Sequence, residues 1–183
     1  MKVFDFDNTV YRGESSVDFS FYMIRHNPRI LRYVPTILFS LAGYRLCLLK
    51  KERLESIINR FFAGVLDGSD QPETFVRQFW ETHARKLYPG ILDLIGPDDV
   101  ILTASPVFLI SGIRGRLHTD RIIGTEVDLR QKKIHWFNFG DNKVKRYRAL
   151  YGDRKIDAFN DNEMMAVSDA VYLVKKGVPA RLS

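Results

Sequence analysis

Val3-Phe4-Asp5-Phe6-Asp7-Asn8-Thr9 decides how this chain is read. Side chains alternate across an extended segment with period 2, so Asp5 and Asp7 share one face. Phe4 and Phe6 then point to the other face, into a core. A parallel strand that ends in acids sets them in the crevice at the carboxyl edge of a sheet, where open α/β proteins place their ligands. Two close carboxylates repel each other. A cation, a shared proton or hydrogen-bond donors must stabilise them.

Working outward, the next stretch reads as helical. A first segment spans Ser16 to Asn27 and stops at Pro28. A second, Glu52 to Phe62, sets Leu54, Ile57, Ile58, Phe61 and Phe62 on one stripe. Gly64 and Asp67-Gly68-Ser69-Asp70 break the chain. Glu73 to Leu87 repeats the pattern with Phe75, Phe79, Trp80 and His83, and Tyr88-Pro89-Gly90 ends it. Beyond that point the character changes. Asp98 to Thr103 reads as a buried strand, and Ser105-Pro106 as a helix start with serine as cap and proline at the first position. Arg121 to Gly124 is another strand. Val127–Leu129 and Ile134–Phe137 suggest a hairpin across Arg130–Lys133. Asp141 caps a helix through Leu150, and Lys155–Phe159 and Val171–Val174 are the last strands. Strands alternating with helices predict an α/β fold, a doubly wound parallel sheet with helices on both faces. The sheet domain is expected over residues 1–13 and 89–183, and an inserted all-helical cap over 14–88. An insertion at that point would cover the crevice as a lid.

Composition narrows the function classes. The chain has 183 residues, 45% hydrophobic and 27% charged, enough for one real core with an insertion. Its single cysteine, Cys47, allows no internal disulfide, and no secretory signal precedes the first strand, so a reducing, cytoplasmic location is expected. The formal net charge of +6 leans toward anionic partners. No aromatic-interleaved basic motif of a nucleic-acid module is present, and no nucleic-acid partner is expected. Tyr33 to Tyr44 is apolar for twelve residues between Arg32 and Arg45. A spanning helix needs about 20 apolar residues. A buried helix with Pro35 near its start is the expectation, and peripheral contact with lipid is the alternative.

Four motifs in order, Asp5-Phe6-Asp7-Asn8-Thr9, Val100-Ile101-Leu102-Thr103-Ala104-Ser105-Pro106, Asn142-Lys143-Val144 and the acidic segment near Asp161, resemble the haloacid dehalogenase-like phosphatases. The resemblance is to the subgroup with a helical cap after the first strand, akin to phosphoserine phosphatase, and it covers essentially the whole chain. It implies Asp5 as nucleophile, forming an aspartyl-phosphate, and Asp7 as general acid and then base. It implies Mg²⁺ held by the Asp5 carboxylate, the Asp7 backbone carbonyl and Asp161. Thr103 would hydrogen-bond a phosphoryl oxygen, and Ala104 and Ser105 would present a helix N-terminus to the anion. Lys143 stands in the first turn of its helix, where the dipole disfavours a cation by about 0.3–1 kcal/mol. A local rule broken in this way often marks function. The resemblance makes Lys143 the cation that balances nucleophile and phosphate.

The last motif departs from the family's pattern. Asn160-Asp161-Asn162-Glu163 runs straight into an apparent helix at Met164-Met165. Asp157 lies four residues before Asp161, about 13 Å away along a strand, too far to share one ion. Asp161 is the expected acid and its partner stays open: Glu163 is one candidate, a segment absent between Phe159 and Asn160 would be another source, and a motif that is truly this short would weaken metal binding and activity. The leading expectation is a Mg²⁺-dependent hydrolase of a small or amphiphilic phosphomonoester, with Glu14, Arg25 and Arg32 as candidate contacts from the cap. A catalytically weak binding module on the same scaffold is one rival. A membrane-surface protein docking through its apolar cap is the other.

Overall fold

Period-2 alternation is realised on both faces of one sheet in the computed structural model, which describes residues 1–46, 48–66, 72–131, 133–160 and 162–182. In β1 (Lys2–Phe4), Val3 enters one core layer and Phe4 the other, with Phe6 beside Phe4. In β2 (Val100–Pro106), Val100 and Leu102 join Val3, while Ile101 joins Phe4. β5 (Ile156–Phe159) repeats the split, with Ala158 on one side and Phe159 on the other.

Two further inner strands, β3 (Ile122–Asp128) and β6 (Ser168–Lys175), complete a parallel set. Antiparallel β4 (Lys133–Trp136) and β7 (Val178–Arg181) close the two edges. The seven-stranded order is β4-β3-β2-β1-β5-β6-β7. The chain steps outward from β1 to β3 on one side, then crosses to β5 on the other. β1 and β5 therefore flank the point where the winding reverses, which is where open α/β sheets leave a crevice. The α/β class expected from the sequence is the one observed.

Some expectations change. The segments Arg121–Gly124 and Val127–Leu129 belong to one strand, β3, which pairs with β4 in the expected hairpin. β7 had no apolar run to announce it. The helix expected to open at Ser105 starts later: β2 runs on through Pro106, and α6 (Val107–Ser111) follows with Pro106 at its N-cap. The segment Asp67–Asp70, Cys47 and Asp161 lie outside the described residues.

The chain leaves β1 for α1 (Ser15–His26), α2 (Val34–Arg45), α3 (Lys51–Leu66) and α4 (Pro72–His83). A 3-10 turn over Pro28–Tyr33 joins the first two, and α5 (Pro89–Leu92) leads back to the sheet. α4 carries the apolar stripe read from the sequence, and Val76, Phe79 and Trp80 are buried. Trp80 meets Phe6 and Tyr11 edge-on and donates from Nε1 to the Leu109 carbonyl at 2.7 Å. Each such buried side chain contributes about 1.5–3 kcal/mol. α4 approaches α6 so closely at Gly112 that a Cβ there would collide with Val76 and Trp80.

α2 does not behave as expected of a core helix. Phe39 is 79% exposed, and Pro35 and Thr36 are exposed too. The neighbours of α2, chiefly α3 and the Pro28–Tyr33 turn, leave part of its apolar run uncovered. Among the described residues, no helix is long and apolar enough to cross a membrane.

Candidate active site

Asp5 extends β1 by one residue. Its amide donates to the Phe159 carbonyl at 3.0 Å, which fixes it at the carboxyl edge beside β5. Asp5 Oδ1 accepts the Phe6 amide at 2.9 Å and the Lys143 ammonium at 3.2 Å. Lys143 is only 5% exposed. Its ammonium is thus held against the Asp5 carboxylate rather than in bulk water.

Lys143 is placed by α7 (Asp141–Tyr151). Asp141 was expected to cap that helix, but it is the first helical residue. Gly140 occupies the cap at φ +57°, a conformation that costs glycine little. The preceding loop is latched to β2 by Asn138, a fully buried residue that the sequence reading missed. Its Nδ2 donates to the Thr103 carbonyl at 2.8 Å and its amide to Thr125 Oγ1 at 3.2 Å. Thr125 Oγ1 in turn donates to the Ala104 carbonyl at 2.6 Å. An asparagine between two aromatic residues in a loop gave no local signal of that latch.

Asp7 sits in the turn after β1. Asn8, at φ +60°, lets the chain fold back, so that the Val10 and Tyr11 amides reach the Phe6 carbonyl. Asp7 Oδ1 accepts the Ser15 amide at 2.6 Å, at the start of α1. Asp7 Oδ2 accepts the Ser105 hydroxyl at 2.7 Å. Ser105 Oγ also lies 2.9 Å from Ser15 Oγ and 2.7 Å from Ser16 Oγ. Because it lies within β2 and Pro106 is the N-cap residue of α6, Ser105 is not a helix cap. Its own amide donates to Thr103 Oγ1 at 3.0 Å. Thr103 is fully buried at this strand end, and the wall facing the cavity there is Ala104. α6 begins behind Pro106, which lacks an N–H, and has five residues, so it offers the anion little.

A cavity of about 380 Å³ opens at this edge. Asp5, Asp7, Glu14, Lys143 and Glu163 reach it, together with Asn8, Ala104, Phe139 and Asn160. The structure thus brings together Asp5, Asp7, Ala104 and Lys143 from three separate parts of the chain. Burial, and after it the negative charge of Asp7, raises the Glu14 carboxyl above its ordinary range. Glu14 Oε1 accepts the Asn8 side-chain amide at 2.6 Å. Asn160, at φ +59°, turns the chain sharply after β5, and its side chain pairs with the Val174 backbone. Arg25 and Arg32 do not line this cavity.

The donor set at the acidic end is oxygen alone, which suits a hard cation such as Mg²⁺. Among the described residues no three acids or imidazoles converge into a closed metal cage. Mg²⁺ does not require one, because it is commonly held by one or two carboxylates, waters and substrate phosphate. The carboxylates lining the cavity, Asp5 and Asp7 among them, fit such an ion.

A family profile for haloacid dehalogenase-like hydrolases matches residues 3–171, nearly the whole chain. The chain belongs to the haloacid dehalogenase-like hydrolases, and it is a hydrolase by that membership. Two solved structures share its fold. One, a protein of unknown function from Bordetella pertussis Tohama I, is 17% identical with a TM-score of 0.68, over 94% of this chain and 80% of that one. The other, a HAD family hydrolase from Salmonella enterica serovar Typhi, is 17% identical with a TM-score of 0.59, over 91% of this chain and 58% of that one. No curated protein matches the sequence.

Proposed function

We infer that this hydrolase cleaves phosphomonoesters through a phospho-aspartate on Asp5, with Mg²⁺ as cofactor. The reading is carried by one observation: two carboxylates and a buried lysine meet on a single cavity at the sheet's reversal point. In the first half-reaction an Asp5 carboxylate oxygen attacks phosphorus, and the bond from phosphorus to the leaving oxygen breaks. Asp7, protonated, gives its proton to that oxygen. In the second half-reaction water loses a proton to Asp7 and attacks the same phosphorus. The bond to Asp5 then breaks, releasing phosphate and restoring the acid. Lys143 offsets the negative charge of Asp5 and of the incoming phosphoryl oxygens. Mg²⁺, when bound, neutralises further phosphoryl charge; Asp5 and the Asp7 carbonyl would hold it, and Asp161 is the proposed third ligand.

Thr103 and Ser105 act around this chemistry rather than in it. Ser105 orients Asp7 and ties it to the first turn of α1, and Thr103 braces Ser105. The same seam supports reading residues 14–88 as a cap on a core of 1–13 and 89–183, with Glu14 facing the substrate. Hydrolysis of a generic aryl phosphate tests the proposal. Turnover that needs Mg²⁺ and disappears in Asp5→Asn is expected. Tight phosphate binding without turnover in the wild-type protein would replace the enzyme with a binding module.

A further inference from the structure

We propose that the segment from residue 19 to 51 docks, through its exposed side chains, on an anionic lipid surface. Charge is the first ground. The chain holds 28 Lys and Arg against 22 Asp and Glu. Between Asp18 and Glu52 lie Arg25, Arg29, Arg32, Arg45, Lys50 and Lys51, and no acid at all. The remaining residues therefore carry 22 charges of each sign, and the whole surplus of +6 belongs to this one segment. Basic residues beside a bilayer act additively, and each multiplies partitioning to an anionic surface by about fivefold.

Exposure is the second ground. Phe21, Leu31, Phe39, Leu46 and Leu48 are open to solvent in the same segment, Leu48 at 80%. Arg25, Arg32 and Lys50 are exposed among them. The Arg32 guanidinium lies over the Tyr33 ring, 4.8 Å from its centre. Aromatic rings, aliphatic tips and cations in one acid-free stretch match the headgroup boundary, where rings and alkyl groups sink and charges stay at the phosphates. The twelve residues of α2 are too few to span, so the segment lies along the surface.

The same charge argues against the other occupants. A second copy of this chain would set one basic face against another. Nucleic acid would satisfy the cations and leave the apolar tips in water. The first of these exposed apolar residues, Phe21, stands on the same helix as Ser15, whose amide holds Asp7. The assignment stands independently of the phosphatase reading, because binding is measured without turnover.

Co-sedimentation of the full chain with vesicles is the test. Phosphatidylglycerol–phosphatidylcholine vesicles should pellet the protein at low salt, phosphatidylcholine alone should not, and high salt should release it. The double variant Phe39→Ser/Leu48→Ser should lose about tenfold in bound fraction. Its melting temperature and its rate on a soluble aryl phosphate should stay unchanged. Lys50→Glu, which alters no apolar contact, should weaken binding to anionic vesicles alone. Failure to pellet with anionic vesicles at low salt would overturn the proposal. So would equal binding to neutral vesicles, or a dimer in sedimentation equilibrium that the double variant abolishes while vesicles bind nothing.

Discussion

The carboxyl edge of the sheet and the stretch from residue 19 to 51 break opposite rules. At the edge, groups that prefer water are buried: Lys143 against Asp5, and Ser105 between Asp7 and Ser15. In the helical stretch, groups that prefer a core stand in water, Phe39 and Leu48 above all. Each departure costs stability, and folded proteins keep such costs where a ligand repays them. The edge is held by neighbouring strands, to which the Asp5 and Asn160 amides are bonded. The helices between β1 and β2 have no such lattice, and α2 makes its contacts chiefly with α3 and the Pro28–Tyr33 turn. On the two proposals above, chemistry falls to the first region and binding to the second.

The largest expected effect breaks the first region alone. Lys143→Ala should lower the rate on a soluble phosphate ester by about 10²-fold or more, because a preorganised charge at the reacting group is lost. Leu48→Ser should leave that rate unchanged, and steady-state kinetics on both proteins checks the pair. Packing sharpens the contrast next. Gly112→Ala drives a methyl group into Val76 and Trp80 and should cost about 1–3 kcal/mol in denaturant unfolding. Gly43→Ala, in α2, meets only the Leu49 Cβ at 3.6 Å, an ordinary contact. It should gain about 0.5–1 kcal/mol from helix propensity.

The smallest effect lies at the border of the two regions. Asp18 of α1 accepts the Lys86 ammonium and the Tyr11 hydroxyl, both at 2.6 Å. Burial by itself would raise the Asp18 carboxyl, but those two donors hold it below its ordinary value. A folded-state pKa below the unfolded one gives stability that is present above the ordinary aspartate pKa and lost as pH falls through the folded value. Asp18→Asn should therefore cost about 1 kcal/mol near neutral pH. It should also flatten the fall in melting temperature on the acid side.

The sequence made the sheet legible because Val3, Phe4, Ile101 and Phe159 alternate or run apolar in ways that only buried strands satisfy. Helices α3 and α4 were legible from their stripes and α1 from the stop at Pro28, to within a few residues at their ends. The meeting of Asp5 with Lys143, 138 residues apart, came from the order of motifs, since no local pattern carries that distance. Ser105-Pro106 misled because a serine before a proline has the same local pattern whether it caps a helix or reaches a carboxylate 98 residues away. Asn138 and Ser15 were invisible for the same reason: their partners lie far along the chain. Phe39 misled in another way, since apolar composition does not say whether a neighbour exists to cover the residue.

Acid-quenched protein, taken during turnover of an aryl phosphate and digested for peptide mass spectrometry, tests the central claim most directly. The account predicts one added phosphoryl group on the peptide carrying Asp5, more of it in Asp7→Asn because the second half-reaction loses its base, and none in Asp5→Asn. Sustained turnover with no phosphoryl group on Asp5, or with the label on another residue, would contradict it.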